Sequence, residues 1–116
     1  MSDVTIYYNP GCTKCRLTKG LLEEKGIEPK VIEYLDTPPT LQDLEQVLSL
    51  LGVEPIDITR TGESLYKELG LDQKKLSRED HLKTLVENPM LIQRPIVIKD
   101  GKAVIGRPPE KVLEIL

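Results

Sequence analysis

The chain has 116 residues, of which 39% are hydrophobic and 30% charged, and its formal net charge is -3. This length is typical of one globular domain, here residues 1–116, and the small negative charge argues against partners such as nucleic acid or an anionic membrane. No apolar run approaches the roughly 18 residues of a membrane span, and no basic segment precedes an apolar one at the N-terminus, so we expect a cytoplasmic protein.

The first third of the chain predicts a strand, a helix and a second strand. Residues 4–8 (VTIYY) are rich in β-branched and aromatic side chains, which predicts a buried strand, and residues 30–35 (KVIEYL) predict another. Between them a helical pattern begins at Thr13 and stops near Gly26. Its apolar face is formed by Leu17, Leu21 and Leu22. This order indicates a right-handed βαβ unit with two parallel strands.

The middle of the chain predicts short helices. Thr40 is a favourable N-cap for a helix that ends near Gly52. Two further helical segments are predicted over residues 64–69 and 77–87, and Ser77 begins the second of them in the manner of a capping box. The apolar positions of the first helix recur at helical spacing and are Leu41, Leu44, Leu48 and Leu51.

The last third predicts a hairpin and a final helix. Residues 95–98 (PIVI) and 103–106 (AVIG) flank an Asp-Gly pair, which favours a type I′ turn. Two prolines then fit the first turn of a helix at the C-terminus. The whole order predicts an α/β, thioredoxin-like (glutaredoxin-like) fold with a mixed sheet. A helical insertion over about residues 40–90 separates the βαβ half from the ββα half.

Cys12 and Cys15 are the only cysteines, and they lie where the first strand gives way to the helix. Structural zinc needs four nitrogen or sulfur ligands, and the chain adds only His81, in a different predicted helix, so a zinc site within one chain is nearly excluded. We interpret His81 as a solvated or helix-surface residue.

A redox role for the pair follows from its position. If the helix begins near Thr13, Cys12 is its N-cap, where unpaired N–H groups and the helix dipole favour a thiolate, and Lys14 and Arg16 add positive charge. We therefore predict that Cys12 is an exposed nucleophile and that Cys15, one turn later, is a more buried resolving thiol. The alternative is that Cys15 only fills space under the helix.

Three arginines lie at predicted element boundaries. They are Arg60 in ITRTGE, Arg94 in LIQRPIVI and Arg107 in IGRPPE. Taken singly, an arginine is more typical of a solvated surface group than of a site. Arg94 precedes Pro95, and an X-Pro bond at the start of a strand can be cis.

The chain closely resembles the ArsC family, the glutathione- and glutaredoxin-linked arsenate reductases. The resemblance rests on TIYYNPGC, YLDTPPT, DITRTGESLYKELGL, ENPMLIQRPIVI and IGRPPEKVLEIL, which together span almost the whole chain. It implies that Cys12 forms a covalent adduct with arsenate while Arg60, Arg94 and Arg107 hold the oxyanion. It implies no metal and no bound cofactor, because glutathione with glutaredoxin, or thioredoxin, supplies the electrons from outside. We also expect a monomer.

Two positions depart from the family pattern. The best-known members have no second cysteine and use glutathione as the second thiol, so here either Cys15 or glutathione resolves the adduct. Tyr8 stands where the family often has a histidine that lowers the pKa of the nucleophile, so we expect a less activated Cys12. Asn9 and Gly11 are predicted to shape the loop, Gly11 by allowing a close backbone approach.

Two other functions stay open at this point. The Spx regulators share this fold and a C-x-x-C pair, which they use as a redox switch while binding RNA polymerase through the C-terminal domain of its α chain. Arg107 and its RPPE context resemble the reductases more closely than these regulators. The other alternative is a thiol oxidoreductase of this fold whose substrate is not arsenate.

Overall fold

The computed structural model describes residues 4–73 and 75–116. Its strands are β1 (Val4–Tyr8), β2 (Lys30–Glu33), β3 (Ile96–Lys99) and β4 (Lys102–Ile105). Its α-helices are α1 (Thr13–Glu24), α2 (Leu41–Leu51), α3 (Ser64–Glu68) and α4 (Arg78–Glu87). Short 3₁₀ helices span Pro55–Ile58, Pro89–Leu91 and Pro109–Ile115.

The chain divides into two compact units. The first comprises the chain up to Thr37 together with Arg94–Leu116, and the second comprises Pro38–Gln93. All four strands and α1 belong to the first unit, whereas α2, α3 and α4 belong to the second. Our interpretation of residues 1–116 as one domain stays a prediction.

The first unit is built on one mixed sheet with the strand order β2-β1-β3-β4. β1 and β2 are parallel, while β3 is antiparallel to both β1 and β4. This confirms the predicted βαβ unit, the hairpin and the thioredoxin-like fold class. β2 ends at Glu33, two residues before the predicted end, because the chain turns there: the N–H groups of Asp36 and Thr37 both donate to the carbonyl of Glu33.

The helix α1 confirms two of the three predicted apolar residues: Leu22 is buried and Leu21 packs against the core. Its buried residues are Cys15, Thr18 and Leu22, at the i, i+3 and i+7 positions that share one side of a helix. The prediction for Leu17 is wrong: this residue is 54% exposed because it falls one position away from that stripe. The core of the unit consists of Val4, Ile6, Leu22, Val97, Val104 and Val112.

The hairpin and the C-terminal segment show how local chemistry sets backbone geometry. Asp100 and Gly101 both have positive φ angles, 46° and 76°, as a type I′ turn requires. The predicted final helix is a 3₁₀ helix, Pro109–Ile115, and not an α-helix. Pro109 and Val112 are buried and Ile115 packs on the core, so the apolar period is three residues, which a 3₁₀ helix places on one side.

The second unit confirms the predicted helix starts. The Thr40 hydroxyl accepts from the Asp43 N–H at 3.1 Å while the Asp43 carboxylate accepts from the Thr40 N–H at 3.0 Å, and Gly52 ends α2 with a φ of 68°. Ser77 likewise caps α4. No helix of the described chain is both long enough and apolar enough to span a membrane.

Position 106, directly after β4, requires a glycine because Thr18 and Pro95 pack closely against it. A Cβ atom there would lie 2.7 Å from Thr18 Oγ1 and 2.8 Å from Pro95 Cγ, and the proline ring cannot move aside. We predict that Gly106→Ala lowers the free energy of unfolding by about 1–3 kcal/mol through this overpacking. Urea denaturation measures the change.

Gly20 provides the matched control for that substitution. It lies inside α1, and a Cβ atom there would meet nothing within 4 Å. Gly20→Ala should therefore stabilise the protein by about 0.5–1 kcal/mol through helix propensity. Equal stability of Gly106→Ala and the wild type would contradict the steric explanation.

Candidate active site

The register of the sheet gathers the candidate residues at one end of it. Tyr8 pairs with Glu33, Tyr7 with Ile96, and Ile96 with Ile105. Therefore β1, β2 and β4 finish at the same end of the sheet at which β3 begins. We call this the Cys12 end. The segments that leave or enter the sheet there carry Cys12, Tyr34, Arg94 and Arg107.

Cys12 is the N-cap of α1, as predicted. Its backbone is extended, with φ of -99° and ψ of 120°. Asn9 shapes the loop before it, because its carbonyl accepts from the Cys12 N–H and its side-chain oxygen accepts from the Gly11 N–H, each at 2.9 Å. A Cβ atom on Gly11 would meet only Asn9 Oδ1, at 3.4 Å, so packing within the described chain does not require glycine there.

Both cysteines are free thiols, and both are buried. Cys12 is only 8% exposed, so the prediction of an exposed nucleophile is wrong. Cys15 is fully buried, as expected for the inner member of the pair. Helix geometry explains why Cys15 is the more buried of the two, because it lies one turn after the N-cap and points toward the sheet.

The two thiols have very different pKa values. Burial raises the pKa of Cys12, but hydrogen bonds from the Cys15 N–H, the Cys15 thiol and the Arg94 guanidinium outweigh it and hold the pKa at about 7. Burial raises the pKa of Cys15 to about 12, and the neighbouring Cys12 adds to that rise. At neutral pH the pair therefore combines a substantially ionised outer sulfur with a protonated inner one.

Arg94 supplies the positive charge that lowers the pKa of Cys12. We predicted this role for Lys14 and Arg16, but both of these residues are exposed. The Nη1 of Arg94 donates to the hydroxyl of Tyr34 at 3.3 Å, and its own carbonyl accepts from Arg107 Nε at 2.8 Å. Its Nε is buried and has no hydrogen-bond partner among the described residues. The bond between Arg94 and Pro95, which the sequence allows to be cis, is cis, and so is the bond that follows Arg107.

Arg60, the third predicted arginine, belongs to the second unit, so its convergence with the others stays a prediction. Its backbone N–H donates to Leu91 at 2.7 Å, and its Nη2 contacts a carboxylate oxygen of Glu63 at 2.9 Å. Its Nη1 is buried and finds no acceptor within the described chain. Arg60 and Arg94 thus share one feature, a buried guanidinium N–H that no described residue satisfies.

His81 lies in α4, as predicted, but it is half-buried and hydrogen-bonded, so the solvated alternative is wrong. Its Nε2 lies 2.8 Å from the hydroxyl of Thr59, whose proton is donated to the carbonyl of Pro55. The hydroxyl must therefore accept from His81, and burial lowers the pKa of the imidazole. Within residues 4–73 and 75–116 no three His, Cys, Asp or Glu side chains are placed to hold a metal ion.

Two residues beside the candidate site were not among the site residues predicted from the sequence. Tyr34 was assigned to a strand, yet it follows β2 and is buried with its hydroxyl against Arg94. Gly106 was treated as the end of a strand, yet its N–H donates to Pro95 and its missing side chain admits Thr18. The sequence carried weak signals for both: a tyrosine at the end of an apolar run, and a glycine directly before Arg107.

Comparisons with known proteins agree over the full chain. A model described as the ArsC family matches residues 7–115. The arsenate reductase of Haemophilus influenzae (strain ATCC 51907 / DSM 11121 / KW20 / Rd) is 46% identical over 115 residues, which are 98% of this chain and 99% of that protein. The uncharacterized protein YfgD of Escherichia coli (strain K12) is 49% identical, over 98% of this chain and 97% of its own.

A solved structure gives the same result for the fold. The structure of an arsenate reductase from Vibrio cholerae matches with a TM-score of 0.94 at 48% sequence identity, covering 97% of each chain. The family resemblance drawn from the sequence motifs is therefore confirmed.

The ionisation of Cys12 yields a direct test of the site. We predict that the rate of Cys12 alkylation by iodoacetamide rises with pH to a midpoint near 7, because only the thiolate reacts, while Cys15 stays unreactive. Arg94→Ala should raise that midpoint by about one pH unit or more. Lys14→Ala, which removes an exposed charge, is the control. A midpoint that Arg94→Ala leaves in place would show that the guanidinium does not act on Cys12.

Proposed function

The chain belongs to the ArsC family, and we propose that it reduces arsenate to arsenite through a covalent adduct on Cys12. The observation that carries this proposal is the environment of one sulfur atom. Cys12 lies at a helix N-terminus, its pKa is about 7, and the neighbouring Arg94 keeps a buried Nε–H without a partner among the described residues. A reactive thiolate beside unused N–H donors suits a tetrahedral oxyanion as substrate.

The proposed reaction needs two thiols, and the first of them is the nucleophile. The Cys12 thiolate attacks arsenic(V), and an As–O bond breaks as the S–As bond forms. The departing oxygen takes up protons from solvent and leaves as water. A second thiol then attacks the sulfur of Cys12. The S–As bonding pair stays on arsenic, which departs as arsenite, and the two sulfurs become a disulfide. Arsenic gains two electrons, and the two thiols lose them.

The arginines serve the first step by neutralising the oxyanion. An anionic thiolate approaches an anionic substrate only if positive charge offsets the repulsion, and guanidinium groups do so with directed N–H donors. Arg94 and Arg107 lie at the Cys12 end of the sheet, joined by the Arg107 Nε–H to the Arg94 carbonyl. For Arg60 we propose the same oxyanion-binding role from its family motif, and its Nη1 has no acceptor within the described chain.

Cys15 is our candidate for the second thiol. Its sulfur is in hydrogen-bonding contact with Cys12, so no external thiol has to enter a site where Cys12 is 8% exposed. Its high pKa makes it a poor attacker while Cys12 is a thiolate, because the two negative charges would repel. Formation of the adduct removes the charge on Cys12, and that lowers the barrier to ionising Cys15. Glutaredoxin or thioredoxin then reopens the disulfide.

A coupled assay tests the proposed activity. We expect arsenate-dependent consumption of NADPH when the protein is supplied with glutathione, glutaredoxin and glutathione reductase, or with thioredoxin and its reductase. Cys12→Ser should abolish turnover, and Arg94→Ala or Arg107→Ala should lower kcat/KM on the order of 100-fold. Arg78→Ala is the matched control, because Arg78 forms an exposed ion pair with Glu45 on the second unit.

The negative outcome of that assay is informative as well. If neither coupling system supports arsenate-dependent turnover by a protein whose Cys12 alkylates normally, then arsenate is not the substrate. The redox-switched regulator and the thiol oxidoreductase with another substrate would then be the functions to pursue. Binding to the α chain of RNA polymerase would separate these two.

The role of Cys15 has its own test. If Cys15 resolves the adduct, Cys15→Ser should lose turnover in the thioredoxin-coupled assay, and a single dose of arsenate should leave a disulfide only in the wild type. Cys15→Ala serves as the control for the hydroxyl introduced by serine. Unchanged thioredoxin-coupled turnover of Cys15→Ser would assign resolution to an external thiol.

A further inference from the structure

Arg94 is held by a residue that no part of the proposed mechanism has used. Tyr34 is 1% exposed, and its hydroxyl accepts a hydrogen bond from Arg94 Nη1 at 3.3 Å. The residue is placed by the turn after β2, in which the N–H groups of Asp36 and Thr37 both donate to Glu33. Since Glu33 is paired with Tyr8 in the sheet, the tyrosine is anchored beside the strand that leads to Cys12.

Tyr34 binds the Nη1 nitrogen of Arg94, and this leaves the opposite edge of the guanidinium available to donate to an anion. Nη1 is the terminal nitrogen on the Cδ side, so the opposite edge presents the Nε–H together with one N–H of Nη2. That edge offers two parallel donors, the arrangement that binds an oxyanion in a bidentate manner. The Nε of Arg94 is buried without a described partner, whereas its Nη1 is occupied.

We propose that Tyr34 is a positioning residue, whose hydroxyl anchors Arg94 through Nη1 so that the Nε edge is reserved for the oxyanion beside Cys12. Arg94 is then held from two directions, by Tyr34 at its side chain and by Arg107 at its carbonyl. Without the phenol, the long arginine side chain would sample several rotamers and lose entropy on each binding event. In this scheme Tyr34 acts on the oxyanion through Arg94.

The ionisation of the neighbouring groups agrees with this role. Burial lowers the pKa of Arg94, but the hydrogen bonds with Tyr34 and Cys12 raise it more, so the guanidinium stays charged beside the sulfur. The same guanidinium lowers the pKa of Cys12. A loosened Arg94 should therefore affect the thiolate even when no anion is present.

Tyr34→Phe tests the proposal, because it keeps the buried ring and removes only the hydroxyl. The first measurement is the pH dependence of Cys12 alkylation by iodoacetamide, which needs no arsenate. We expect the rate at pH 7 to fall about threefold or more as the Cys12 pKa rises. The second is protection of Cys12 from iodoacetamide by added arsenate, measured with and without Tyr34→Phe in a Cys15→Ser background, where no internal disulfide can form. We expect half-protection to need about five- to tenfold more arsenate, the size of effect of one lost hydrogen bond of ordinary net strength.

Two controls separate positioning from a general loss of structure. Tyr66→Phe removes the hydroxyl of a half-buried tyrosine in α3 and should change neither measurement. In an Arg94→Ala background, Tyr34→Phe should have no further effect on either one, because the residue through which it acts is gone. Thermal unfolding of each variant shows that the fold is kept.

The outcomes distinguish this inference from the proposed function on which its arsenate measurement rests. A Cys12 pKa that Tyr34→Phe leaves unchanged, or an effect of equal size in the Arg94→Ala background, would overturn the positioning role. If arsenate fails to protect Cys12 in the wild-type protein, the proposed function fails, but the pKa comparison still decides the role of Tyr34.

Discussion

The pairing of β1 with β3 is the constraint on which the candidate site depends. Because the two strands are antiparallel and Tyr7 faces Ile96, the loop that leaves β1 and the segment that enters β3 meet at one end of the sheet. A slip of one residue would invert the faces of β1 and expose Val4 and Ile6, which belong to the core. The hydrophobic core therefore fixes the register, and the register brings Arg94 to Cys12.

The reactivity of Cys12 is a balance of opposing effects. Burial by itself would keep the sulfur protonated, since desolvation disfavours any charged form. Hydrogen bonds from Cys15 and Arg94 reverse that preference and hold the pKa at about 7. The family often has a histidine at position 8, but here Tyr8 packs against the hydrophobic core of the first unit. In this protein the hydrogen bonds that lower the Cys12 pKa come from the start of α1 and from the arginine before β3.

The cysteine pair shows how one helical turn separates two chemical roles. Cys12 ends the loop and retains a little exposure, whereas Cys15 points inward and has none. Their pKa values of about 7 and about 12 follow from this difference, reinforced by the mutual repulsion of two sulfurs in contact. Two identical side chains thus gain different properties from environment alone, and the order in which the proposed mechanism uses them follows from the same difference.

The sequence alone determined the local features of this protein. β-branched runs, the Thr40 capping box and the Asp100-Gly101 turn act over a few residues, so the strand and helix positions and the N-cap location of Cys12 followed from short-range chemistry. Motifs spread along the chain identified the family. Tertiary structure decided which face of α1 is buried, which left Leu17 exposed, and which charge reaches Cys12. These depend on partners distant in the chain: Arg94 lies 82 positions after Cys12 and Tyr34 lies 60 positions before Arg94, and only the strand register joins them.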